Sequence, residues 1–201
     1  MIDVKIPYTL NGNLGKEQNR IISQSQNRWV LSVDHDVLLA VNPHWYYLCV
    51  KAINKYATQN KIGIFTCYTN DIGDGVNPHE QRYASGVLGD DVYEHVGAAK
   101  YVFATNQYQC TDITHTEKFA QFFMLVNKEA WQKAGGFKDG FFDSDRKFAK
   151  RIKRAGYKIY RIDGLYVYHM HNVNCKSWID GQKTRGERWE NHTERRKNAK
   201  T

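Results

Sequence analysis

The sequence predicts an α/β fold, a mixed and mainly parallel sheet flanked by helices. Two observations predict it. Apolar runs of strand length alternate with segments whose apolar residues recur at helical spacing, the pattern of strands joined by crossover helices. The chain has 201 residues and is 41% hydrophobic, which suits one domain with one sizeable core. The organisation expected is a folded domain over 1–175 and a basic, polar tail over 176–201.

The first strand is expected from the N-terminus up to Pro7, and Asn11-Gly12-Asn13 marks a turn. A helix is expected over 14–26, with Leu14, Ile21 and Ile22 on one face. Trp29, Val30, Leu31 and Val33 form a buried strand that ends at Asp34. Asn42 is expected to cap the next helix, with Pro43 at its first position. Its stripe of Trp45, Leu48, Cys49, Ala52, Ile53 and Tyr56 follows the helical period. Another strand covers 61–66. From 68 to 118 the pattern fades, punctuated by Gly73, Gly75, Pro78, Gly86, Gly89 and Gly97, and a functional segment with short helices of its own is expected. A buried strand over 119–126, a short helix over 128–134 and a helix over 143–155 follow. The last helix turns Phe148, Ile152 and Ala155 inward and stops at Gly156. Strands over 157–161 and 165–169 complete the sheet.

No apolar run approaches the roughly 20 residues that span a bilayer. The N-terminus reads as a strand and not as a signal peptide, so a cytoplasmic protein is expected. Cys49, Cys67, Cys110 and Cys175 lie far apart without zinc-type spacing, and are expected to be reduced. The net charge of +8 favours polyanionic partners. No acid interrupts the basic residues between Arg146 and Arg161.

Asp34 and Asp36 end an apolar strand one residue apart. In an extended chain they point the same way and repel each other. A hard divalent cation, Mg2+ or Mn2+, would satisfy both. A solvated pair of aspartates at a strand end is the plain alternative.

Four stretches together resemble a GT-A glycosyltransferase of the large family-2 type, in that family's order. Asn13-Leu14-Gly15 and Asn19, before a strand ending in Asp34-His35-Asp36, resemble its N-x-G…N…D-x-D run. Gly135-Gly136-Phe137-Lys138-Asp139-Gly140-Phe141-Phe142 resembles its GGF-x-x-x-FF element. Asp143-Ser144-Asp145 falls where the family carries an acidic catalytic motif, followed by the similar Arg151-Ile152-Lys153-Arg154-Ala155-Gly156-Tyr157. Tyr166-Val167-Tyr168-His169 resembles the late strand whose histidine completes the metal site. The match covers most of 7–171. It implies a compact GT-A-like, Rossmann-like fold that binds a nucleoside-diphosphate sugar, a UDP-sugar being expected.

In one respect the chain departs from the family. Pro7-Tyr8 runs almost directly into Asn13-Leu14-Gly15, so the unit that usually carries a base-reading aspartate is missing. The donor pocket is then expected from Pro7, Tyr8, Thr9, Asn13, Gly15, Asn19 and Asp34, with Gly136 letting the backbone approach the sugar or acceptor. A cation held by Asp34 and Asp36 would neutralise the departing diphosphate. His169 is the expected third ligand and His171 competes for that place. Asp145 is the expected general base, with Asp143 the rival. Both are expected in the first turn of a helix, where capping and the dipole also explain them.

The acceptor is least legible. Lys147, Lys150, Arg151 and Arg154 share a helix with Asp145 and suit the phosphates of a nucleic acid, with Lys150, Arg151 and Arg154 the expected acceptor contacts. A hydroxylated or hydroxymethylated base in DNA is the expected acceptor, as in the DNA glycosylation known from bacteriophages. Such a base must be flipped out onto aromatic side chains, and Tyr83, Tyr93, Tyr101 and Tyr108 are available. A surface glycan or lipid-linked sugar is the rival acceptor. A non-catalytic nucleic-acid-binding protein and a metal-dependent nucleotide hydrolase are the rival activities.

Overall fold

The computed structural model describes residues 1–9, 12–70, 72, 80–83, 91–116, 118–140 and 144–170. Expectations for Asp143, Phe141, Phe142, His171, Cys175 and the 176–201 tail lie outside the described residues.

The described residues form a mixed seven-stranded sheet between helices. Its strands are β1 (Ile2–Lys5), β2 (Trp29–Val33), β3 (Val37–Leu38), β4 (Ile62–Thr69), β5 (Cys110–Asp112), β6 (Phe123–Asn127) and β7 (Lys158–His169). The order is β1-β2-β6-β4-β7-β3, and β5 also pairs with β7. β1, β2, β4 and β7 share one direction, while β6, β3 and β5 run against them. The α/β class and the mixed sheet are as expected, with four of the seven strands sharing one direction.

The helices are α1 (Leu14–Ser23), α2 (Trp45–Ala52), α3 (Val92–Asn106), α4 (Lys128–Lys133) and α5 (Ser144–Arg154). Alternation along the strands divides the core into two layers. Trp29, Leu31 and Val33 of β2 pack with Leu48, Cys49 and Ala52 of α2. Val30, Met124 and Val126 face Ile21 and Ile22 of α1 and Phe148 and Ile152 of α5. Every residue of β2 and β6 is buried, which is why both read as continuous apolar runs. Among the described residues no helix is long and apolar enough to cross a membrane.

Several boundaries differ from expectation. α1 ends at Ser23, three residues early. α2 begins at Trp45, because Asn42 Oδ1 accepts the His44 N–H at 3.0 Å and holds a turn ahead of the helix. A π-helical turn, Ile53–Ala57, continues it and carries the rest of the stripe. β4 runs on to Thr69. The two last strands expected are one strand, β7, whose pairing to β4 jumps from Thr66↔Arg161 to Tyr68↔Tyr166. The residues between form a bulge.

The largest difference is α3, fifteen residues within the stretch read as irregular. Its buried positions are His95, Ala99 and Val102, so a histidine and an alanine stand where large apolar residues would announce a helix. His95 is fully buried, lies against Tyr168 with ring centroids 3.5 Å apart, and its Nδ1 is 2.7 Å from the Tyr166 hydroxyl. Tyr93 and Tyr101 are therefore exposed on a helix, and Tyr83 packs edge-on against Tyr68 and Tyr166.

Cys49 and Cys67 are buried free thiols, and Cys110 is a partly buried one. Burial pushes all three thiols up, Cys110 to about 12, so none is poised as a thiolate.

Candidate metal and donor site

β2 ends at Val33, and the Asp34 N–H donates to the Phe122 carbonyl at 2.9 Å, just before β6 begins. The chain then turns: the Val37 N–H donates to the Asp34 carbonyl at 3.2 Å. β3 follows and pairs Val37 with His169 and Leu38 with Tyr168, at the far edge of the sheet. The turn Asp34-His35-Asp36 thus carries the chain across the sheet from β2 to the end of β7. The Met170 N–H donates to the Asp36 carbonyl at 2.8 Å and closes the link.

His169 is held from three sides. Its N–H donates to Asn70 Oδ1 at 2.9 Å, and Asn70 Nδ2 donates to its carbonyl at 3.0 Å. This side chain prolongs the ladder one residue beyond the end of β4. The Phe122 ring stacks on the imidazole, with centroids 5.6 Å apart. His169 Nε2 lies 3.2 Å from Asp36 Oδ1.

One ligand atom each from Asp34, Asp36 and His169 lies within 4.8 Å of the other two. Asp34 keeps some exposed surface, yet burial pushes its carboxyl up to about 6. Asp36 and Asp145 add to the rise by like charge, while His169 and His35 oppose it. Two carboxylates with a third nearby ask for a counter-cation, and one imidazole with two carboxylates suits Mn2+ better than the all-oxygen preference of Mg2+. The residues present fit a divalent ion.

Asp145 stands half-buried in the first turn of α5, where its Oδ1 accepts the Arg146 N–H at 2.7 Å. It lies close enough to Asp34 for their charges to interact. Pro7, Tyr8 and Thr9 leave the sheet beside Asp34, because Lys5 pairs with Ser32. Pro7 is buried, Tyr8 is 72% exposed, and the Glu17 carboxylate accepts a bond from the Tyr8 backbone.

Other expected site residues do mechanical work. Asn19 Oδ1 accepts from the Phe137 N–H at 2.7 Å and from Trp131 Nε1 at 3.0 Å, while its Nδ2 donates to the Phe137 carbonyl at 2.9 Å. Asn13 Oδ1 accepts from the Lys16 and Gly140 N–H groups, both at 3.0 Å. A Cβ on Gly15 would lie 1.9 Å from the Lys138 carbonyl oxygen, so only glycine lets α1 approach that backbone. Gly136, at φ +64°, leaves no room for a side chain against Asn19. These residues clasp α1 to the 136–140 segment, which then leads towards α5.

Arg151 belongs to the same clasp. Its Nε donates to the Gly136 carbonyl at 3.1 Å and its Nη2 donates to the same oxygen. It is therefore set apart from Lys150 and Arg154, which are exposed. Lys147 shares their exposed face. Asn70 and Phe122 escaped sequence reading, since neither belongs to a motif and both act through contacts distant in the chain. No protein-family model matches the chain, and no curated protein matches it.

Proposed function

We propose that this protein is a metal-dependent glycosyltransferase that moves a sugar from a nucleoside-diphosphate sugar, a UDP-sugar being favoured, to an acceptor hydroxyl. One observation carries the reading. Asp34, Asp36 and His169, from opposite parts of the chain, converge at one end of the sheet with Asp145 near enough to load Asp34. The motif order that resembles GT-A enzymes supports it as well.

Asp34, Asp36 and His169 would hold the ion, Mn2+ or Mg2+, which when bound supplies charge neutralisation for the diphosphate leaving group. Asp145 accepts the proton of the acceptor hydroxyl as that oxygen bonds to the anomeric carbon. The bond from that carbon to the diphosphate breaks, and the electron pair leaves with the diphosphate. Pro7, Tyr8 and Thr9 line the donor side. The clasp formed by Asn13, Gly15, Asn19 and Gly136 keeps α5, and so Asp145, in register with Asp34.

The acceptor favoured is a hydroxylated or hydroxymethylated base in DNA. The exposed face of α5 formed by Lys147, Lys150 and Arg154 supports it, since Asp145 opens the same helix. The test is incubation with a panel of nucleoside-diphosphate sugars and Mn2+. Nucleoside diphosphate released only when hydroxymethylated DNA is added supports the reading. Equal release without acceptor indicates hydrolysis, and no release with any donor refutes transfer.

A further inference from the structure

The helix that follows the metal turn carries a second feature, unconnected with the transfer chemistry. Between Asp36 and Asp71 the chain contains no aspartate or glutamate, yet it holds Lys51, Lys55 and Lys61. On α2 and its continuation, His44, Tyr47, Lys51 and Lys55 recur at i, i+3, i+7 and i+11, so they share one face.

That face runs beside the C-terminal part of α3. The His44 ring stacks on Phe103, with centroids 4.8 Å apart. One turn on, Tyr47 meets Tyr108 edge-on at 6.0 Å, and the two side chains are hydrogen-bonded to each other. Tyr56 continues the series, its hydroxyl donating to the Tyr108 carbonyl at 3.4 Å. Each outer ring has a cation over it: Lys51 Nζ is 5.3 Å from the Tyr47 centroid and Lys55 Nζ is 5.0 Å from that of Tyr56. Among the described residues neither lysine, nor Lys100 on the facing helix, pairs with a carboxylate. At the upper end a cavity of about 260 Å³ opens between Pro43 and His44 on one side and Lys100 and Phe103 on the other.

Tyr47 is 45% and Tyr108 is 41% exposed. Half-exposed rings alternating with cations that lack acidic partners make a poor protein core and a poor uncharged-glycan site, which needs no lysines. They match a chain of stackable rings joined by anionic links. A duplex hides the faces of its bases, so the matching form is a single strand.

We propose that the groove between α2 and α3 binds single-stranded nucleic acid, with bases stacked on Tyr47 and Tyr108 and phosphates on Lys51 and Lys55. The groove lies on the α2 side of the sheet, opposite α5, so the proposal stands or falls apart from the transferase reading.

The test is fluorescence anisotropy of short labelled oligo(dT) and oligo(rU) with the full chain, titrated across salt. Log affinity is expected to fall linearly with log salt, at a slope of about −0.7 per phosphate engaged. The pair Tyr47→Ala and Tyr108→Ala is expected to lose about tenfold or more in affinity. The pair Tyr47→Phe and Tyr108→Phe keeps the ring faces and is expected to bind like wild type. Lys51→Gln with Lys55→Gln, both exposed and harmless to folding, is expected to flatten the slope by about 1.4. Comparable binding of both oligomers assigns the shared phosphate and base chemistry, while preference for one names the sugar. The proposal is overturned if wild type binds neither oligomer. It is equally overturned if the lysine pair leaves the slope unchanged, or if the alanine pair keeps wild-type affinity at an unchanged melting temperature.

Discussion

Asn19→Ala separates a clasp from a substrate contact. Motif order alone would make Asn19 a donor-binding residue, and its replacement would then weaken donor binding at unchanged stability. The structure assigns its amide to the Phe137 backbone and the Trp131 indole, through bonds of 2.7, 3.0 and 2.9 Å. Truncation leaves the buried Phe137 with an unpartnered N–H and carbonyl, and each stranded group costs about 1–3 kcal/mol. Water can reach Asn19 and Trp131 in part, which lowers the total to about 2–5 kcal/mol. For a chain of this length the melting temperature should fall by on the order of 10 °C. The assay is urea unfolding with and without Mn2+, alongside donor titration well below the transition. A variant within about 0.5 kcal/mol of wild type, the range of an idle surface position, would refute the clasp. So would a selective loss of donor affinity at full stability.

Three further outcomes are expected. Asp145→Asn should keep donor affinity and lower turnover by about 10²–10⁴-fold, and unchanged turnover would remove Asp145 as the base. Asp34, with its folded pKa raised to about 6 above an ordinary aspartate, contributes stability that is fully present below pH ~4 and lost as pH rises through ~6. In metal-free buffer wild type should therefore lose on the order of 2 kcal/mol relative to Asp34→Asn over that window, and parallel pH profiles would contradict the shift. Replacing Lys147, Lys150 and Arg154 by Gln should flatten the salt dependence of duplex DNA binding, by about 0.9 in slope for each phosphate no longer neutralised; an unchanged slope would remove α5 from the acceptor surface.

How much was legible in the sequence follows the range of each interaction. β2, α2 and α5 could be read because burial on a flat or helical face imposes a local period, and their stripes are apolar throughout. α3 escaped because its buried stripe passes through His95, whose neighbours Tyr166 and Tyr168 lie far along the chain. β7 looked like two strands because its ladder to β4 does break, while its backbone stays extended through the bulge. Asp34, Asp36 and His169 were legible as a set because motif order linked them. The clasp residues were legible as positions and not as roles. Asn19 and Arg151 act on backbone atoms of Phe137 and Gly136, and a carbonyl leaves no trace in residue identity. Likewise Lys147, Lys150, Arg151 and Arg154 were legible as one basic helix, whereas the inward turn of Arg151 leaves Lys147, Lys150 and Arg154 as its exposed face.

The turn through Asp34, His35 and Asp36 has a mechanical consequence. Asp34 follows β2 and His169 ends β7, and two strands, β6 and β4, lie between them in the sheet. Neighbouring strands are spaced about 4.8 Å apart, so a flat sheet would hold these ends about 14 Å apart. Their ligand atoms nonetheless come within 4.8 Å, and since the Val37 N–H to Asp34 carbonyl bond keeps the turn short, the sheet itself curls at this end to bring Asp36 to the far edge. The turn is thus a tie-bar across one end of a twisted sheet. Load placed on it is shared by strands that never touch it, and binding of the proposed cation there should slow amide exchange in β4 and β6. Bound state would then be legible in the stiffness of the whole sheet edge, at positions with no ligand contact of their own.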